Sequence, residues 1–207
     1  MKPQNVYEEL TDEEVNLALK SIRPIFSKVS TFKQLIGAYI LYLQGNIPVT
    51  PTYYGQLESD TVAQLDGILK LNRLGFLTID SQDGLKVDRA WQRAYIIGYM
   101  YYDTYALILS VLKTTEIIYG SFLLTDEISS ENPRFPIVLG MPDEEVWASI
   151  PLTGAGHRDA WELILEFSPK LLDTDVYVKL RYVQFIDPVW GRPGFLVNKL
   201  LEALSKK

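Results

Sequence analysis

The residues best able to do chemistry fall into two clusters far apart in the chain. The first runs Asn72-Arg73-Leu74-Gly75-Phe76-Leu77-Thr78-Ile79-Asp80-Ser81-Gln82 and resumes at Trp91-Gln92-Arg93. If the segment between is a wide loop over about 81–91, both pieces meet at one end of a sheet. Arg73, Ser81, Gln82, Gln92 and Arg93 then present fixed donors that suit a carboxylate, a phosphate or a planar amide. The competing reading is local: Asn72 and Arg73 close a helix C-terminus, Ser81 and Gln82 occupy a turn, and Arg93 pairs with Asp80 or Asp88. The second cluster, Asp187-Pro188-Val189-Trp190-Gly191-Arg192-Pro193-Gly194, lies where a predicted strand gives way to a helix, a place where free N–H groups point outward. There Arg192 supplies charge, Trp190 stacking and Asp187 a base; alternatively Asp187 closes an Asx turn and Trp190 fills the core edge. The ligand-binding candidates are therefore Arg73, Ser81, Gln82, Gln92, Arg93, Asp187, Trp190 and Arg192, and no catalytic residue is assigned.

Composition removes whole classes of function. The 207 residues contain no cysteine and one histidine, His157, so disulfides, thiol nucleophiles, iron–sulfur clusters and common zinc sites lack their ligands. No metal and no cofactor is expected. With 20 basic and 26 acidic side chains the formal charge is −6, which argues against a surface built around phosphate contacts, so nucleic acid is not favoured as a partner. His157 follows Thr153-Gly154-Ala155-Gly156 and no G-x-S-x-G elbow marks a nucleophile for it, so it reads as a surface or capping residue. Gly154-Ala155-Gly156 fits no nucleotide-binding loop, and Asp173-Thr174-Asp175 reads as a turn rather than a cation site. The opening residues lack a basic segment followed by an apolar one, so an intracellular setting is expected. Ala94–Leu112 is long and apolar, yet Asp103 sits at its centre and five tyrosines interrupt it. A mid-bilayer Asp costs roughly 2.5–3.5 kcal/mol, so a strand and then a helix capped at Asp103 are expected instead of a membrane span.

The elements that must carry these residues follow from periodicity. Thr11 and Glu14 have capping-box spacing, and Pro24 ends or bends the helix they start. Ser30 caps a second helix whose stripe is Phe32, Leu35, Ile36, Tyr39, Ile40 and Leu43, stopped by Gly45. Asn46 to Gly55, with Pro48 and Pro51, is an extended loop; a third helix capped at Ser59 or Asp60 ends at Gly75. From Phe76 the period changes to 2, and strands are expected at 76–80, from 94, and at 116–124, 135–139, 144–150 and 176–186. Pro136 makes the 135–139 segment look like an edge strand. Helices are expected at 158–167 and 194–205. This order repeats no βα unit and contains no linker, so the prediction is one α+β domain over 1–207, helical over about 11–74, with a mostly antiparallel or mixed sheet beyond.

The same clusters carry a resemblance. Asn72, Arg73, Gly75, Phe76, Thr78, Ser81 and Gln82, then Gln92, Arg93 and Ala94, then Asp187, Pro188, Trp190, Gly191 and Arg192 match a pattern NR-x-GF-x-T-x-x-SQ, QRA, DPxWGR. This resembles a domain of unassigned function in actinobacterial proteins and in proteins of large DNA viruses, over roughly residues 35–195. The chain departs from it at Asp83, where the family tends to have proline. The resemblance implies no chemistry. Its tyrosine-rich middle and acidic first helices look more like the viral members, which implies a protein made in a host cell, in its cytoplasm or packaged in a virion.

Two functions stand from this reading. The first is a non-catalytic protein–protein interaction or structural module, with a protein partner or a second copy, because aromatic residues abound while catalytic signatures are missing. The alternative is a small enzyme or binding protein for an anionic small molecule, anchored by Arg73, Arg93 or Arg192 and oriented by Gln82 or Gln92.

Overall fold

In a computed structural model, residues 10–55, 57–126, 133–152, 157–171 and 174–205 are described. Helix α1 (Asp12–Phe26) starts on the Thr11–Glu14 capping box, and Pro24 lies inside its last turn without ending it. Helix α2 (Phe32–Leu43) is capped by Thr31 and not Ser30, whose hydroxyl and N–H go instead to the Gln34 side chain. Its apolar stripe is buried except at Ile40, which is half-buried, and Gly45 takes the left-handed conformation that stops it.

The expected third helix is broken. A short α3 (Ser59–Ala63) follows Glu58, which makes no side-chain cap, and Gln64 separates it from α4 (Leu65–Arg73). Gly75, at φ +98°, turns the chain into strand β1 (Leu77–Gln82). The wide loop expected over 81–91 is instead a hairpin, β2 (Leu85–Val87) and β3 (Ala90–Gln92), turning at Asp88-Arg89. Its few apolar side chains gave no strand signal, because what holds it is pairing with a strand some 50 residues on, β6 (Arg134–Gly140).

Strand β4 (Tyr95–Tyr101) runs directly into α5 (Tyr102–Leu112). Tyr101 occupies the cap position without a side-chain capping hydrogen bond, and Asp103 lies in the first turn rather than capping it. Then come β5 (Ile118–Leu123), β6, β7 (Glu145–Pro151), α6 (His157–Phe167), a 3-10 turn at Pro169–Leu171, α7 (Thr174–Lys179), β8 (Leu180–Ile186) and α8 (Phe195–Leu204). The strand expected over 176–186 thus begins only at Leu180.

The strands form two antiparallel sheets, β1-β4-β8-β5 and β2-β3-β6-β7. The first is the core of the domain. Strands β4 and β8 pair without interruption from Tyr95↔Ile186 to Tyr101↔Leu180, and both are buried almost throughout because helices cover both faces. On one face Phe185 meets Phe76 and Tyr105; on the other, Tyr99 packs edge-on to Tyr182 and 5.1 Å from Trp161 of α6. His157, expected at the surface, opens α6 in a buried position beside Tyr182, and its carbonyl accepts the Tyr99 hydroxyl at 2.6 Å. In the second sheet β6 lies between β3 and β7, so it is interior rather than an edge. Proline is tolerated there because the register shifts just after it, between Pro136 and Val138. Gly154-Ala155-Gly156 and Asp173 lie outside the described residues.

Candidate functional site

Six of the eight sequence candidates do come together, at the seam between the two sheets. Gln82, the last residue of β1, donates through Nε2 to the carbonyls of Arg93 (2.9 Å) and Ile137 (3.4 Å), tying the first sheet to the second. Arg93 donates through Nε to Pro188 O (2.7 Å) and through Nη1 to Pro136 O (2.8 Å). Its guanidinium lies 3.7 Å from the Trp190 ring centre and 4.6 Å from that of Phe135. Asp187 is fully buried, accepts Val189 N–H in an Asx turn and takes Arg192 in a two-pronged ion pair; the Arg192 Nη1 reaches Glu116 at 2.7 Å. The Gln92 carbonyl accepts Gly191 N–H, while Asp83, the residue at which the chain departs from its motif, accepts Gly194 N–H at 2.8 Å.

These groups form a joint whose charges are matched internally. Two guanidiniums face Asp187 and Glu116; pairing with Asp187 raises the Arg192 pKa, and burial lowers that of Arg93. The backbone is part of it: a Cβ on Gly84 would lie 2.7 Å from Arg192 N, so glycine permits the two chain segments to touch. Ser81 and Arg73 are not part of it. The Ser81 carbonyl accepts the Thr61 hydroxyl at 3.2 Å while its residue lines a separate cleft. Arg73, at the end of α4, borders a groove against α2.

The cleft beside Ser81 is a second candidate site, with a volume of about 110 Å³. Its walls come from α2, the loop that follows it, α3, α4, β1 and β4. Four tyrosines, Tyr39, Tyr42, Tyr53 and Tyr95, and three carboxylates, Glu58, Asp60 and Asp80, face it, and no Lys or Arg is among its described lining residues. Tyrosine hydroxyls hold the loop in place, Tyr39 on Thr52 Oγ1 (2.9 Å) and Tyr42 on Gly55 O (2.8 Å). Tyr95 donates to both oxygens of Asp80 at 3.1 Å.

Protein surrounds Asp80 on most sides, yet its side chain stays open to solvent through the cleft mouth. The surroundings raise its pKa, with Glu58 and Asp60 adding repulsion against the Tyr95 hydrogen bond, which lowers it. Asp60 is raised too, by burial first. Burial and the neighbouring Asp80 charge hold the Tyr95 hydroxyl protonated far above neutrality. The cleft is thus lined by carboxylates and tyrosines with no described basic side chain, an arrangement that attracts an ammonium or guanidinium.

Sequence reasoning passed over this site because its parts are scattered from Tyr39 to Tyr95 and each resembles an ordinary core tyrosine or turn acid. One signal was present: residues 34–69 contain no Lys or Arg. Among the described residues no group of three or more His, Cys, Asp or Glu side chains is placed to hold a metal ion, the three cleft carboxylates included, and no helix is long and apolar enough to cross a membrane.

Fold and site together define an α+β domain of two antiparallel sheets, locked at their seam and carrying an acidic, tyrosine-lined cleft. Over residues 22–207 the chain belongs to a family described as a domain of unknown function (DUF6919). No curated protein matches it.

Proposed function

We propose that this domain is a non-catalytic interaction module whose cleft receives a cationic group, the head of a lysine or arginine presented by a protein partner. The observation that carries the reading is the cleft lining: four tyrosines and three carboxylates with no basic side chain among its described residues. A cation entering it gains Coulomb attraction where protein partly excludes water, together with contact to ring faces, worth about 0.5–2 kcal/mol per ring. The volume admits a side-chain head and little more, which suits one anchoring residue of a larger contact.

Two further features support a binding role over a catalytic one. The chain's single histidine is buried at the start of α6 and is not among the described lining residues of the cleft. On the second sheet, Leu85, Val87, Val146 and Trp147 are all exposed, giving a partner apolar surface to cover. An intracellular setting belongs to the proposal on sequence grounds alone. The alternative, a small anion, would need free guanidiniums; those of Arg93 and Arg192 are engaged at the seam, and only Arg73 keeps that reading open.

The test is a titration with capped peptides containing a single arginine or lysine, against the same peptides with citrulline or norleucine. The proposal expects binding of the charged peptides only, weakened about ten-fold or more by Asp80→Asn, as loss of a charge-assisted contact implies. Equal binding of charged and neutral peptides, or none at all, overturns it.

A further inference from the structure

Arg73 opens an inference that goes beyond this reading, because it concerns a different cavity. Along the outer side of α2 runs a groove of about 490 Å³, closed by the C-terminal end of α4 and the start of α5. Its floor is apolar, with Phe32, Ile36, Ile40, Leu74 and Tyr101, and two cations, Lys33 and Arg73, border it. No acidic side chain is among its described lining residues. Arg73 is exposed and has no hydrogen bond or ion pair among the described residues. The start of helix α5 also borders the groove, through Tyr101 and Thr104.

We propose that this groove binds a small amphiphile, a single alkyl chain ending in a carboxylic acid group, with the chain along Ile36, Gly37 and Ile40 and the head at Lys33 and Arg73. Charge complementarity fixes the sign of the head group and the apolar floor the nature of the tail. The head meets Arg73 through paired N–H donors as the ionised carboxylate. A protein partner fits less well, because the groove has eleven lining residues where a stable interface uses about 20–30 a side.

Gly37 supplies the decisive variant. A Cβ built there meets nothing within 4 Å, so Gly37→Leu fills the groove without disturbing its walls, and leucine is the better helix former. The experiment is calorimetric titration of the full chain with decanoate, decanol and decyltrimethylammonium. The proposal expects decanoate to bind one to one, at least ten-fold tighter than the other two. It expects Arg73→Gln to weaken decanoate about ten-fold and Gly37→Leu to abolish its binding with the melting temperature kept or raised. It is overturned if decanoate fails to bind, if decyltrimethylammonium binds as well, if Gly37→Leu binds unchanged, or if an acidic amphipathic peptide displaces decanoate more effectively than free decanoate does. Asp80→Asn, which disables the tyrosine cleft, leaves decanoate binding unchanged, so the two sites fail or stand separately.

Discussion

Replacing Arg93 with methionine removes the hub of the seam while keeping most of its aliphatic bulk. Two charge-assisted hydrogen bonds are lost, to Pro188 O at 2.7 Å and Pro136 O at 2.8 Å, each contributing about 1.5–3 kcal/mol net. Two ring contacts are lost with them, to Trp190 and Phe135, at about 0.5–1 kcal/mol each where water has partial access. Because Arg93 is only half-buried, water can reach the abandoned carbonyls, so the lower ends apply and the expected loss is about 3–4 kcal/mol. With a urea m-value of about 2 kcal/mol/M this moves the midpoint down by roughly 1.5–2 M. Arg93→Lys keeps the charge but not the fork that reaches two carbonyls in different directions, and loses about half as much. The assay is urea unfolding followed by circular dichroism and by tryptophan fluorescence, whose transitions must coincide for the comparison to hold. A midpoint for Arg93→Met within about 0.3 M of the parent refutes the structural role assigned to the seam.

Gly98 and Gly37 make a matched pair. Alanine at Gly98 puts its Cβ 1.9 Å from the Leu77 carbonyl oxygen, a ladder atom that cannot retreat, so the melting temperature falls by about 6–12 °C or the chain fails to fold; alanine at Gly37, in open space on a helix, raises stability by up to about 1 kcal/mol. For Asp80 the expectation is a pH dependence. The folded carboxyl holds its proton more tightly than the unfolded chain does, so ionising it weakens the fold, a cost absent below its ordinary value of 3.8 and complete above the raised folded value. Asp80→Asn is therefore more stable than the parent at pH 7, and thermal melts across pH should show the gap closing as pH falls toward 3.8.

Much of the architecture was legible in local pattern. The Thr11–Glu14 box, the α2 stripe, the glycine exits at 45 and 75 and the last helix are properties of neighbours in sequence, and the structure keeps them. What escaped was set by distant partners. Nothing in Leu85-Lys86-Val87 announces a strand until β3 finds β6, and Pro136 marks an edge only if the register shift that accommodates it is ignored. The break at Gln64 divides a stripe that is continuous in sequence, and Asp103 gave way to a cap position that follows from β4 running straight into α5.

The site divides the same way. Gln82, Gln92, Arg93, Asp187, Trp190 and Arg192, read from sequence as members of two separate clusters, meet at the seam, but sequence cannot tell donors offered to a ligand from donors spent on backbone carbonyls. Arg73 shares their motif and not their place. The cleft has no motif at all, and only the absence of basic residues from 34 to 69 hinted at it.

Isotope-labelled NMR of the full chain with an arginine-containing peptide tests the account most directly, because it reports where a cation settles rather than whether one binds. The ring signals of Tyr39, Tyr42, Tyr53 and Tyr95 and the amides near Asp60 and Asp80 should shift together and saturably, while those of Arg93, Trp190 and Arg192 stay put. Shifts centred on the seam, or none in the cleft at saturating peptide, would contradict it.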